Sequence, residues 1–192
     1  MAMTMRDQVV LERVRAHHAE MVGDVQRMEA AARRAEGPSA MASALSSLAC
    51  YWTDQLLPHA VVEERTFYAE AESAGLAWLV AALTLEHEEL RARGLELRRI
   101  GKEIGAPPAD PGSTAVACAR AAALAAGASA AFAVPARVEN EVLLPALAAA
   151  GRALPPLLER MERAFAGARR RRTTAAAAVD ALRQARAYGL AA

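Results

Sequence analysis

A histidine and a glutamate four residues apart, His59 and Glu63, are the residues of this sequence best placed to do chemistry together. On an α-helix, side chains at this spacing lie on one face, about one turn apart. An imidazole and a carboxylate so arranged can bind one metal ion. Apolar residues lead into the pair at helical spacing, so the pair is predicted to face the interior, where a charge needs a partner. A metal ion and a salt bridge are the two partners we consider.

Two further histidines and one further glutamate occupy similar positions in other segments. Apolar residues recur every three or four positions around His18, His87 and Glu139, which places each side chain on the inward face of its helix. One inward histidine alone indicates an ordinary hydrogen-bonded core residue. Three such histidines with two glutamates favour a metal site, because helical bundles build these sites from facing helices. This donor set suits iron, and also zinc or manganese.

The elements that must position these residues are predicted to be helices. Of the 192 residues, 54% are apolar but only 4% aromatic, so much of the apolar share is alanine, the strongest helix former. The periodicity predicts four long helices, at about 6–35, 39–72, 76–104 and 114–150. Ser39 is predicted to cap the second, and Pro58 and Pro135 to kink the second and the fourth. The predicted fold class is an all-α, up-down antiparallel four-helix bundle with extra C-terminal helical segments.

The chain is predicted to divide into a bundle over residues 1–167 and a C-terminal part over 168–192. A loop rich in proline and glycine, 105–112, joins the third and fourth helices. The second part opens with four arginines, Arg169 to Arg172, and continues as an alanine-rich helix or tail, with Thr173 or Thr174 as its cap. We interpret the arginine run as a solvated face or linker. A protein partner is conceivable at this tail.

Composition argues against several classes of partner. The formal net charge is +1, so no overall field favours nucleic acid. The N-terminal residues lack the apolar run of a signal peptide, and no window was expected to match the ~20 apolar residues of a membrane span. The expectation is therefore a cytoplasmic protein with no nucleic-acid or membrane partner.

Taken together, the polar residues resemble the hemerythrin-like, HHE cation-binding domain. The resemblance rests on His18, the pattern His59-x-x-x-Glu63-Glu64, the pair Glu86-His87 and the stretch Glu139-Asn140-Glu141-Val142-Leu143-Leu144-Pro145. It covers about residues 6–150. It implies an up-down four-helix bundle that holds a non-haem di-iron centre bridged by two carboxylates. By this resemblance Glu63 and Glu139 are the bridges, His18 and His59 serve one iron, and His87 serves the other.

The sequence departs from the family pattern at two positions. The fourth helix of the family carries His-x-x-x-Glu, and the residue four before Glu139 is Pro135, which has no donor atom. Leu83 stands where oxygen-carrying members have a second histidine in helix three. The second iron is therefore expected to keep only His87 as a nitrogen ligand. The expected cofactor is iron in an incomplete or asymmetric site, as two ions or only one.

Three functions follow from the resemblance. The leading hypothesis is an iron-binding protein that senses or handles O₂, redox state or NO. An alternative is a di-iron oxygenase or a peroxide-consuming enzyme, with O₂, NO or peroxide as the small ligand in either case. The other alternative, suggested by Pro135, is a degenerate bundle that has lost its metal and acts by protein contact.

Overall fold

The computed structural model describes residues 3–105 and 111–167, and the regular structure within these ranges is helical throughout. The elements in chain order are α1 (Met5–Arg33), α2 (Gly37–Tyr51), π1 (Trp52–Leu56), α3 (Leu57–Glu63), π2 (Glu64–Tyr68), α4 (Ala69–Ser73), α5 (Ala77–Gly105), α6 (Pro111–Ala125), α7 (Ala128–Val138), π3 (Glu139–Leu143), α8 (Leu144–Ala149) and α9 (154–167). The elements from α2 to α4 form one unbroken helical run.

These elements form an antiparallel bundle of four helical runs, followed by α9. Only three residues separate α1 from α2 and α4 from α5, and such short connections force neighbouring helices to run antiparallel. α1 packs on α2 and α7, and α5 packs on α2, α6 and α7. The prediction of an all-α up-down bundle with an extra C-terminal helix is confirmed.

A buried carboxylate ties the start of α1 to α9. Asp7 and Thr4 form a capping box, in which Thr4 Oγ1 accepts the Asp7 N–H and Asp7 Oδ2 accepts the Thr4 N–H at 3.1 Å. The other oxygen of Asp7 accepts the backbone N–H of Leu154 at 3.0 Å. Leu154, Leu157 and Met161 of α9 are buried. One side chain therefore satisfies two helix starts and holds α9 on the bundle.

The core consists of two apolar clusters with a polar layer between them. The first cluster includes Met21, Leu56, Leu90 and Phe132. The second includes Val14, Val62, Leu83 and Leu143. Each of the four helical runs passes from one cluster to the other, and the residue at the crossing is polar and buried in every case: His18, His59, His87 and Glu139.

Two helix boundaries differ from the prediction. The second run starts at Gly37, in the left-handed region at φ 83°, with Pro38 in its first turn, so the prediction that Ser39 caps this helix was wrong. The fourth helix is broken at Gly127, at φ 79°, into α6 and α7. Glu29 of α1 accepts the backbone N–H groups of Gly127 and Ser129 at 3.1 and 3.2 Å. A carboxylate from another helix thus satisfies the start of α7, which sequence spacing alone does not reveal.

A π turn lies near each of the two prolines that are predicted to kink their helices, and the kinks themselves stay predictions. Pro58 lies in the first turn of α3, directly after π1, and Pro135 lies inside α7, four residues before π3 begins. The helical run continues through both prolines. In each π turn a backbone N–H bonds the carbonyl five residues earlier, as from Leu57 to Trp52. Such turns widen the helix locally and are frequent at functional sites.

The remaining predictions on organisation have different outcomes. Residues 106–110 of the predicted loop, and the arginine run and tail over 168–192, lie outside the described residues. An 18-residue window within Gly112–Ala149 reaches a mean hydropathy of 1.5, so by length and composition alone this run could cross a membrane, which corrects the expectation that no window reaches that level. Its alanines account for this value. The same run carries Glu139 to the polar layer, and the absence of a membrane partner stays a prediction.

A close contact in the first apolar cluster makes Gly94 of α5 sensitive to substitution. A Cβ added at Gly94 would lie 2.7 Å from Cδ1 of the buried Trp52, whose Nε1 donates to the Leu90 carbonyl. We expect Gly94→Ala to lower the free energy of unfolding by about 1–3 kcal/mol, because the indole has to move within a packed core. Chemical denaturation monitored by circular dichroism measures this loss.

Gly101→Ala is the matched control in the same helix. A Cβ there meets nothing closer than 4.0 Å, so the change should leave stability unchanged or raise it by up to about 1 kcal/mol through helix propensity. Equal changes in the free energy of unfolding for the two substitutions would show that the contact with Trp52 does not make Gly94 sensitive to substitution.

Candidate metal centre

Three of the predicted residues converge from α1 and α3. The Nε2 atoms of His18 and His59 lie 3.0 Å apart. Glu63 Oε1 lies 3.1 Å from Nε2 of His18 and 2.9 Å from Nε2 of His59. The three side chains are at most 3% exposed. Their donor atoms therefore face one small buried volume.

The other two predicted residues adjoin this group through the same glutamate. Glu63 Oε2 lies 3.9 Å from His87 Nε2, and Glu139 Oε1 lies 3.6 Å from the same nitrogen. Glu139 Oε2 lies 3.8 Å from His18 Nε2. Two sets of donors result, one of His18, His59 and Glu63 and one of Glu63, His87 and Glu139, and the donor atoms of each set lie within 4.8 Å of one another. Each carboxylate faces histidines of both sets.

Contacts outside the cluster fix the orientation of two histidines. His18 Nδ1 lies 3.1 Å from Asn140 Oδ1, and His87 Nδ1 lies 2.9 Å from Glu64 Oε1. An Nδ1 that donates to such an oxygen leaves the Nε2 lone pair free to face the cluster. Glu64 also pairs with Arg91 at 2.5 Å, and its contact with His87 was not predicted from the sequence.

Tyr68 is a member of the cluster that sequence reasoning missed. Its hydroxyl lies 3.1 Å from His87 Nε2 and donates a hydrogen bond to Glu139 Oε1. Tyr68 follows Glu63 by five residues, which is off the shared face of a regular α-helix. π2 lies between them, with the Ala69 N–H bonded to the Glu64 carbonyl, and its wider turn brings the fifth residue back to that face. No α-helical spacing rule would have found it.

The two positions expected to weaken the site carry side chains without a donor atom, and the weakening itself stays a prediction. Pro135 is buried and Leu83 lies in the second apolar cluster. His17 and Glu88, which neighbour predicted ligands in sequence, are exposed. Glu139 nevertheless reaches the cluster one turn after Pro135.

Burial and mutual charge shift the titration of the whole cluster. Burial alone would lower the pKa of His18, but its hydrogen bond to Glu63 and that carboxylate's charge raise the pKa above its ordinary value. The pKa of His87 is raised in the same way against burial, through its hydrogen bond to Glu139. Burial raises the pKa of Glu63, but the charge of His59 outweighs it and holds the pKa well below the usual range. Burial and the neighbouring Glu63 raise the pKa of Glu139.

The residues present fit a metal ion. Two imidazole nitrogens 3.0 Å apart, with a carboxylate oxygen near both, cannot all be bare acceptors, so a proton or a cation has to lie between them. The outward Nδ1 contacts of His18 and His87 orient Nε2 as a ligand does. Nitrogen with carboxylate oxygen is a donor set for iron, zinc or manganese. That these five side chains hold a metal stays a prediction, supported by this geometry.

The raised pKa values of His18 and His87 predict how the metal-free protein responds to pH. These histidines bind protons more tightly in the folded chain than in the unfolded chain, where the pKa is about 6.5. Their contribution to stability is complete below that pH and is lost as the pH rises through the folded-state values. We expect the Tm of chelator-treated protein, measured by circular dichroism, to fall as the pH rises above about 6.5.

Bound metal should reverse this trend, because it replaces the same protons. The metal-loaded protein, scanned over the same range, is therefore the internal comparison. If the Tm of the metal-free protein rises with pH above 6.5, the hypothesis that protons stabilise the buried cluster is wrong.

Comparison with known proteins agrees with this site. The family model described as the Hemerythrin HHE cation binding domain matches residues 9–147, which include all five predicted ligands and Tyr68. No curated protein and no solved structure matches the chain. The matched segment spans more than half of the chain and includes most of each of the four helical runs that meet at the buried cluster. The chain belongs to the hemerythrin HHE cation-binding domain family.

Proposed function

We propose that this chain is a non-haem iron protein with two unequal iron sites that senses or handles O₂, NO or redox state. The observation that carries the proposal is the position of Glu63, whose two oxygens face different histidines, Oε1 toward His18 and His59 and Oε2 toward His87. A carboxylate in this position can bridge two ions. Iron bound here supplies open coordination positions for a small ligand.

The two donor sets support an asymmetric site. One set offers the nitrogens of His18 and His59, whereas the other offers one nitrogen, from His87, with the oxygens of Glu139 and Tyr68 nearby. Oxygen donors favour the harder, more highly charged ferric ion. The two ions would therefore differ in affinity and in ease of oxidation, which suits a role in redox handling or sensing.

The groups around the site allow only small ligands to reach it. The ring of Phe132 lies 6.2 Å from the rings of both His18 and His59, and the two apolar clusters close the polar layer on either side. A dry site of this kind strengthens electrostatic interactions and excludes competing reactions with water.

A second candidate function is that of an enzyme, either a di-iron oxygenase or a peroxide-consuming protein. A cavity of about 630 Å³ reaches His59 from the surface and offers room for a larger substrate beside the metals. The hypothesis of a metal-free scaffold is supported by Pro135 alone, and the buried cluster of five ionisable side chains argues against it.

Glu63→Gln tests the proposal most directly. The substitution removes the charge of the shared carboxylate, so iron per chain after anaerobic loading should fall from near two to one or fewer. The rise in Tm on iron loading should shrink with it, since metal bound only by the folded chain stabilises by mass action. Glu86→Gln, an exposed carboxylate in α5 beside His87, should bind iron like the parent.

The same loaded proteins separate the candidate functions. A reversible change of the optical spectrum on addition of O₂ or NO, absent from Glu63→Gln, supports sensing or handling. Repeated consumption of peroxide would favour the enzyme. A parent protein that takes up no iron would refute both and leave the metal-free scaffold.

We also propose that Tyr68 supplies the oxygen donor that completes the His87 side of the site. In the metal-free chain its pKa is raised by burial and by the charge of Glu139, so it stays protonated and donates to that carboxylate. A cation at this place would reverse the effect and favour the phenolate. Tyr68 thereby compensates for the donor that Pro135 lacks.

Tyr68→Phe should lower iron content by up to one ion per chain and remove the visible charge-transfer band expected of a ferric phenolate. Tyr51→Phe is the matched control, because the Tyr51 hydroxyl bonds Asp24 and is not part of the cluster. Absorption spectra and metal analysis of the three ferric proteins measure both effects. A band that survives in Tyr68→Phe would exclude this tyrosine as a ligand.

A further inference from the structure

The cavity of about 630 Å³ lies between α1, the second helical run and α9, and of the cluster residues only His59 lines it. Its volume is within the range of about 300–1,000 Å³ that is usual for sites of small organic molecules. Met21 and Met161, both buried, form part of its wall together with Leu158 and Phe165. Methionine side chains adapt to irregular apolar ligands. The cavity therefore offers a compact apolar wall next to a polar centre.

His59 carries an unsatisfied polar atom at this place. Its Nε2 faces the metal cluster, whereas its buried Nδ1 has no hydrogen-bond partner among the described residues. The corresponding nitrogens of His18 and His87 have partners in Asn140 and Glu64. The cluster histidine without an outer partner is thus the one that lines the cavity. An acceptor atom of a bound molecule would supply the missing contact.

Charged groups are distributed unevenly along the cavity. Arg13 and Glu162 pair with each other at 2.7 Å at one end. Glu20 and Asp24 line the other end, where the Tyr51 hydroxyl donates to Asp24 Oδ2 at 2.9 Å and Arg27 pairs with Asp24 from outside the lining. Carboxylates beside an aromatic ring favour a positively charged group.

The spacing of these groups sets the length of a ligand. The ring of His17 lies 5.1 Å from that of His59, and Glu20 and Asp24 follow His17 by three and seven residues on α1. These separations correspond to about 4.5 and 10.5 Å along the helix. A molecule that contacts both His59 and these carboxylates therefore has its polar ends about 5–10 Å apart.

We propose that this cavity binds a small amphipathic amine that also carries an oxygen acceptor. Its ammonium group contacts Glu20 and Asp24. Its apolar body lies against Met21, Met161 and Phe165. Its oxygen accepts the Nδ1 hydrogen of His59, so the bound molecule adjoins the metal centre through one of its ligands. The proposal does not depend on which metal the centre holds.

Titration of the full-length protein with tyramine, by isothermal titration calorimetry, tests this assignment. Tyramine has an ammonium group and a phenol at opposite ends of an apolar body. We expect one saturable site with a dissociation constant below about 1 mM. The anion of similar shape, 4-hydroxyphenylacetate, should bind at least about tenfold more weakly. Phenethylamine, which lacks the oxygen, should bind several-fold more weakly than tyramine because one hydrogen bond is lost.

Two variants locate the binding. Glu20→Gln should weaken the binding of tyramine at least several-fold. Glu12 is an exposed carboxylate of α1 outside the cavity, so Glu12→Gln should leave the binding unchanged. Leu158→Trp should fill the cavity and abolish binding, while its circular dichroism and iron content remain those of the parent.

The proposal is overturned if tyramine does not bind or if the anion binds equally well. Equal effects of Glu20→Gln and Glu12→Gln would also overturn it, because the carboxylate end would then lie elsewhere. Equal affinity for tyramine and phenethylamine would remove His59 Nδ1 from the site.

Discussion

The structure depends on one constraint, which is that five ionisable side chains are buried between two apolar clusters and have to be neutralised there. His18, His59 and His87 meet Glu63 and Glu139 at the level where all four helical runs cross from one cluster to the other. Burial without compensation would make such a layer strongly unfavourable. Protons on His18 and His87, whose pKa values are raised, contribute to the compensation in the metal-free chain, and a cation can take their place. The layer therefore separates the core into two apolar halves, and its occupancy influences the stability of both.

Departures from regular helix geometry serve this layer. π1 precedes the His59–Glu63 segment, π2 follows it, and π3 begins at Glu139 itself. A regular α-helix repeats its inward positions every three or four residues, which suits an apolar stripe but does not place five polar atoms around one point. The wider turns adjust the helix phase locally and bring Tyr68 into the cluster. Glu29, which caps α7 from α1, keeps the fourth run in register with the first.

The bundle and its five candidate ligands could be predicted because both depend on local periodicity. Apolar residues at three- and four-residue steps fix which face of each helix is inward, so His18, His59, His87 and Glu139 were assigned to the interior from spacing alone. The start of the second helix at Gly37 and the break at Gly127 were missed for the opposite reason. Each depends on backbone conformation or on a partner distant in sequence, as Glu29 is from Gly127. The resemblance at His59-x-x-x-Glu63 agrees with the family match over residues 9–147.

By itself the sequence determined the fold class, the inward polar residues and the family, because helix periodicity and residue type are properties of short segments. It also identified Pro135 as a position without a donor, since proline lacks one in any conformation. The tertiary structure decided the rest. Glu63 faces histidines from three helices, Tyr68 occupies the side of the site that Pro135 leaves poor in donors, and His59 lines a cavity. These are distances between atoms on different helices, and they follow from helix phase and packing, which no local pattern encodes.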